Sequence, residues 1–120
     1  MNLIEFFMCL STTLKLYHWK TSKYSRHMAS GTLFDGVLLI TDTFMETYFG
    51  KYGKGSIKSL NLDCNLLSDD EIVSFLKEAN QFLKDIVKNN LLKESDTDLL
   101  NMRDDLVGQI NKTLYLFTLN

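Results

Sequence analysis

The side chains best suited to hold a metal ion in this sequence are His18, His27, Asp35, Asp42 and Glu46, which include both of the chain's histidines. Imidazole nitrogen combined with carboxylate oxygen suits Fe(II), Zn(II) or Mn(II). The stretch from Tyr24 to Phe49 has helical spacing. At about 100° per residue, Asp35, Asp42 and Glu46 lie about 80°, 60° and 100° around the axis from His27, so all four project from one face. Asp42 and Glu46 stand one turn apart, and both can reach one cation.

Reach sets a limit on that chemistry. Asp42 lies about 22 Å beyond His27 on a helix that rises about 1.5 Å per residue. One chain therefore cannot bring its histidines and its acids to one ion. Two chains can, if their second helices pack antiparallel about a two-fold axis. His18 and His27 of one subunit then meet Asp42 and Glu46 of the other, and two equivalent sites form. The plainer reading of the same residues is a solvated acidic face with structural histidines.

Four helical segments must position these groups. The first, Leu3 to Trp19, spaces Leu3, Phe6/Phe7, Leu10, Leu14 and Tyr17 three to four apart. The second carries Leu33, Val37, Ile40, Phe44 and Tyr48 as a stripe, with Phe34, Leu38 and Met45 beside it. Ser68 and Glu71 read as a capping box for the third, whose stripe runs from Ile72 to Ile86/Val87. Ser95 is read as the cap of the fourth, with Asp96 and Asp98 suiting the positive helix start and a stripe from Leu99 to Phe117. Lys20–Lys23 and Asn89–Glu94 are short connections and predict antiparallel neighbours. The Gly50–Leu67 segment is long enough to carry the chain the length of a bundle. The expected fold is all-α: one domain, residues 1–120, a ferritin-like antiparallel four-helix bundle with one longer crossover between helices two and three. The absence of proline agrees with uninterrupted helices, since about six would be usual at this length.

Bulk properties exclude several classes. A net charge of −2 gives no electrostatic call for nucleic acid or an anionic membrane. No apolar run approaches the roughly 20 residues of a membrane span. The first residues carry Glu5 and lack a basic stretch, which argues against a signal peptide. Cys9 and Cys64 are too few and too far apart for a disulfide framework and read as buried free thiols in a reducing compartment. Gly50, Gly53 and Gly55 lack phosphate-loop spacing and read as a helix end and turn. Tyr17 and Trp19 are expected to close one end of the bundle.

The segment HWKTSKYSRHMASGTLFDGVLLITDTFME resembles the first two helices of Dps, the small ferritins of starved bacteria. The shared pattern is a His-Trp pair, a second His, then an Asp and a Glu separated by three residues, supplied here by His18-Trp19, His27, Asp42 and Glu46. DTDLLNMRDDLVGQINKTLYLF resembles the last helix of that family, with Tyr115 in place of a Trp. Gly31 stands where the family carries an Asp four residues after its second His, and Asp35 lies one turn further on. The resemblance implies a bundle that dimerises through its second helices, as a homodimer or within a larger homo-oligomer. It also implies an intersubunit ferroxidase-type site for iron (Fe2+/Fe3+), or another divalent metal such as zinc, held by His18 and His27 of one chain and Asp42 and Glu46 of the next.

DNA-binding members use a Lys/Arg-rich tail, which has no counterpart before helix one, so no nucleic acid partner is expected. The chain also resembles uncharacterised short ferritin-like proteins of large DNA viruses, sharing HW-x-T, Leu33–Asp35 and the GKYG at Gly50–Gly53. The expected location is the cytoplasm, meaning the host cytoplasm or the virion for a viral chain. The alternative function is a metal-free structural or interaction bundle, dimeric or part of a viral assembly.

Overall fold

A computed structural model describes residues 1–119. Those residues form four α-helices: α1 (Leu3–Lys20), α2 (Tyr24–Tyr52), α3 (Asp69–Lys84) and α4 (Thr97–Leu116), with no strand among them. α2 has 29 residues, which at about 1.5 Å per residue is about 43 Å. The molecule's longest extent is 43 Å, so this one rod runs its full length.

Local chemistry starts and stops each helix. Asn2 caps α1, its side chain accepting from the Glu5 N–H at 2.8 Å while Glu5 reaches back to the Asn2 amide. The Ser68–Glu71 box opens α3 as the sequence predicts, at 3.1 and 3.0 Å. α2 runs three residues past Phe49 and ends at Gly53, whose φ of 82° is a conformation that glycine adopts without strain. Ser95 is not the cap of α4: Asp96 occupies that position and makes no capping bond. Its carboxylate is engaged elsewhere, accepting from the Lys93 N–H at 2.8 Å and the Tyr52 hydroxyl at 2.6 Å, and pairing with Lys51 at 2.7 Å.

The predicted stripes meet in one core. Phe7, Leu10, Leu14 and Tyr17 of α1 are buried with Leu33, Val37 and Phe44 of α2, Ile72, Leu76 and Leu83 of α3, and Leu99, Leu106 and Ile110 of α4. Ile86 remains buried although α3 has ended two residues earlier, because the turn that follows folds it inward. That turn closes at Asn90, whose φ is 60°, a left-handed position that Asn tolerates better than most residues.

Contacts between helix ends set the directions. Phe6, early in α1, stacks on Phe82, late in α3, at 4.1 Å, while Tyr17 at the other end of α1 bonds Asp69 at the start of α3. Lys51, late in α2, pairs with Asp98 at the start of α4, while Ala29 and Leu33 share a surface hollow with Thr113 and Leu116. Asn80 bonds Asn111 and Arg103 bonds the Leu83 carbonyl, so α3 and α4 are also antiparallel. No helix among the described residues is long and apolar enough to cross a membrane.

A histidine pair at the turn between the first two helices

His18 lies in the last turn of α1 and His27 in the first turn of α2, with a three-residue connection between the helices. The tight reversal brings the rings face to face, with centroids 3.8 Å apart and planes 18° apart. Each ring is fixed by the backbone of the other's residue. His18 Nδ1 lies 2.7 Å from the His27 carbonyl oxygen, and His27 Nδ1 lies 2.9 Å from the His18 carbonyl oxygen. A carbonyl oxygen can only accept, so both Nδ1 atoms carry the proton and donate it. In the neutral rings the Nε2 lone pairs are then free, which is how a metal-ligating histidine is usually prepared. The Ser30 hydroxyl adds to the clasp, donating to the His27 carbonyl at 3.2 Å.

Gly31 completes the seat. A Cβ at this position would stand 2.9 Å from His18 Cε1 and 3.2 Å from His18 Nδ1. The missing side chain is the space that the His18 ring occupies.

The acids lie elsewhere. Asp35, Asp42 and Glu46 are exposed, and the described residues contain no group of three or more His, Cys, Asp or Glu side chains able to hold one ion. Within one chain the structure therefore joins the two histidines and leaves the three carboxylates apart from them. The exposed positions of α2 include Met28, Thr32, Asp35, Leu39, Asp42 and Glu46, a three-and-four spacing that defines one outward stripe. Trp19 does not close the bundle end. It is 67% exposed, with the Lys15 ammonium 5.6 Å from its ring centroid, whereas Tyr17 is fully buried.

A polar knot beside the histidines holds the same turn. The buried Tyr17 hydroxyl donates to Asp69 at 2.7 Å and accepts from Arg26 at 3.2 Å, Thr21 donates to Asp69 at 3.0 Å, and Arg26 also bonds the Asp69 carbonyl. The Tyr17 bond, more than any other contact, holds the Asp69 carboxyl below its usual range, while burial above all pushes the Tyr17 hydroxyl up. At the opposite end of α2, the bond from Lys51, followed by those from Tyr52 and the Lys93 amide, lowers Asp96 to about 2. Sequence reasoning passes over both clusters because their partners are 52 and 44 residues apart.

Fold and site define an all-helical, four-helix protein with a backbone-clasped histidine pair at one end. The chain belongs to a family of unknown function, DUF5856, whose sequence profile matches residues 18–117, from the first of those histidines to the end of the buried α4 stripe. No curated protein and no solved structure matches it.

Proposed function

We propose that this chain is a Dps-like, ferritin-like metal-binding protein whose site forms between two subunits. In this reading α2 and α3 run parallel, joined by one long crossover, which is the ferritin-like connection pattern. His18 and His27 of one subunit face Asp42 and Glu46 of the next, with Asp35 near the two-fold axis, and iron is bound and oxidised there. The observation that carries the reading is the reciprocal clasp, which places the donated proton of each ring on Nδ1 and so makes Nε2 the free nitrogen of each neutral imidazole. The outward stripe of α2 supports it by mixing the three acids with exposed Met28 and Leu39, and exposed Leu38 adjoins them. An antiparallel copy of that stripe would lay the acidic second half of one helix over the histidine end of the other.

A second reading rests on the same clasp. The histidines satisfy each other's backbone and stack, so they also serve as a metal-free latch on the α1–α2 turn within a structural dimer or larger assembly. Titration calorimetry with Fe(II) under anaerobic conditions, and with Zn(II), separates the two when paired with sedimentation. The metal reading expects a dimer that takes up about one ion per chain, given only two histidines and two acids per site. It also expects that H27A with D42A abolishes uptake while the dimer persists. A folded dimer that binds neither ion refutes the metal reading and supports the latch. A folded monomer refutes the intersubunit site in either form.

A further inference from the structure

At the end of the bundle remote from the histidines, the start of α1, the last turns of α2 and the turn after α3 enclose a hollow. Its volume is about 260 Å³, below the roughly 300–1,000 Å³ of pockets for drug-sized ligands, which suits a ligand of one or two rings. Depth sorts the lining. Its buried and half-buried members, Leu3, Ile4, Met45, Tyr48, Phe49 and Leu91, are all aliphatic or aromatic, and its exposed ones are Asn2, Lys54 and Asn90. The Tyr48 and Phe49 rings meet edge-on at 6.3 Å, and Tyr48 is braced by Tyr52 at 5.0 Å. Lys54 is the one charged side chain of the lining, and it makes no ion pair among the described residues. Lys51, also at this end, is taken up by Asp96 and Asp98, and Glu5, the acid of α1, turns back onto the Asn2 amide. The backbone is specialised at both polar positions. Lys54 stands between Gly53 and Gly55, with φ of 82° and 65°, and Asn90 has φ of 60°, the one left-handed residue other than glycine among those described. Such positions recur where a chain clamps a ligand.

We propose that this hollow binds a small aromatic carboxylate, with its ring among Ile4, Met45, Tyr48 and Phe49 and its carboxylate paired with the Lys54 ammonium. Each part of that description follows from the lining. An apolar interior of aromatic and aliphatic side chains takes a flat hydrocarbon body. A lone unpaired ammonium at the rim selects one negative charge and disfavours a cation, and it is too little for a polyphosphate, which calls for several cationic groups. The Asn90 side-chain amide supplies a second donor at the same rim. Because Lys54 is exposed, its pairing adds modestly to binding, and the apolar walls carry most of it. The expected dissociation constant for a two-ring acid is on the order of 0.1–1 mM. The hollow lies at the opposite end of α1 and α2 from His18 and His27, so it stands whether or not a metal binds there.

The test titrates the isotope-labelled whole chain with naphthoate, with neutral naphthamide and with acetate, following backbone amides by NMR. Naphthoate should shift Ile4, Tyr48, Phe49 and Asn90 saturably. Naphthamide should bind at the same residues roughly threefold to tenfold more weakly, the loss of one partly exposed charge pair, and acetate, which lacks the ring, should not saturate. K54Q should bring naphthoate down to the affinity of naphthamide and leave naphthamide unchanged. K58Q, on the same connection but outside the lining, should alter neither. Both lysines are exposed, so the folded chain is retained, and the comparison of acid with amide separates loss of the charge from any change of shape. The proposal is overturned by the absence of saturable shifts at these residues, by equal affinity for the acid and the amide, or by a K54Q chain that holds naphthoate as tightly as before.

Discussion

Gly31→Ala isolates the contact on which the histidine pair rests. Inside an exposed helix this substitution ordinarily gains about 1 kcal/mol. At Gly31 the new Cβ would meet His18 Cε1 at 2.9 Å, where ordinary contact begins at 3.4 Å, so the ring must retreat by about half an ångström. It has little freedom to do so, because the His27 ring stacks on it and the His27 carbonyl holds its Nδ1 at 2.7 Å. A retreat of that size takes the hydrogen bond to the edge of its range and loosens the stack, losing about 1 kcal/mol from the first and about 0.5–1 from the second. The expected net effect is a destabilisation of about 0.5–1 kcal/mol. Gly108→Ala is the internal control: it lies inside α4 with nothing within 4 Å of its Cβ, and should gain the full helix preference of about 1 kcal/mol. Urea unfolding midpoints for both variants, and for Gly31→Ala in a His18→Ala background, complete the cycle. Without the ring, Gly31→Ala should turn stabilising. If Gly31→Ala and Gly108→Ala stabilise the intact protein alike, the argument that His18 is held against Gly31 is wrong.

Other consequences can be measured separately. Asp96 is held at about 2 against an ordinary value of 3.8, so its contribution to stability is complete above that ordinary value and is lost as pH falls through about 2. Asp96→Asn should therefore flatten the acid limb of an unfolding titration, and an unchanged acid limb would count against the pairing with Lys51. Tyr17→Phe keeps the buried ring but removes the hydroxyl, and should cost about 1 kcal/mol. NMR titration of the same variant should find the Asp69 carboxyl moved up toward its usual range, since the Tyr17 bond is the main influence lowering it.

What the sequence reveals here is what short-range rules govern. The Ser68–Glu71 box, the stripes from Leu33 to Phe44 and from Ile72 to Leu83, and the short α1–α2 reversal are all written in neighbouring residues. The Asn2–Glu5 box was equally legible and is easily missed so near the chain's start. The assignment of Ser95 as a cap fails because Asp96 is recruited by Lys51 and Tyr52 from a helix more than forty residues away. The exposure of Trp19 escapes a periodicity argument for a similar reason: an aromatic at a helix end is buried only if another element arrives to cover it. Spacing brings the candidate ligands into view, but it cannot reveal the clasp. Whether His18 and His27 present Nδ1 or Nε2 depends on which carbonyl the turn delivers. The physical role of Gly31, which spacing alone does not show, is to leave room for an imidazole.

The order of the connections has a consequence for how the molecule assembles: the α1–α2 turn is short, the α3–α4 connection covers residues 85–96 rather than the shorter Asn89–Glu94 link expected from the sequence, and the α2–α3 connection is the longest. α1 with α2, and α3 with α4, are hairpins whose partners are close in sequence, so each can form without waiting for the other. The contacts that join the hairpins, Tyr17 to Asp69 and Lys51 to Asp96, can form only after the Gly53–Ser68 segment has closed. Loop closure grows costlier only slowly with length. Lengthening this connection should therefore slow the docking of preformed hairpins modestly, while shortening it below the span of the rods would prevent docking altogether.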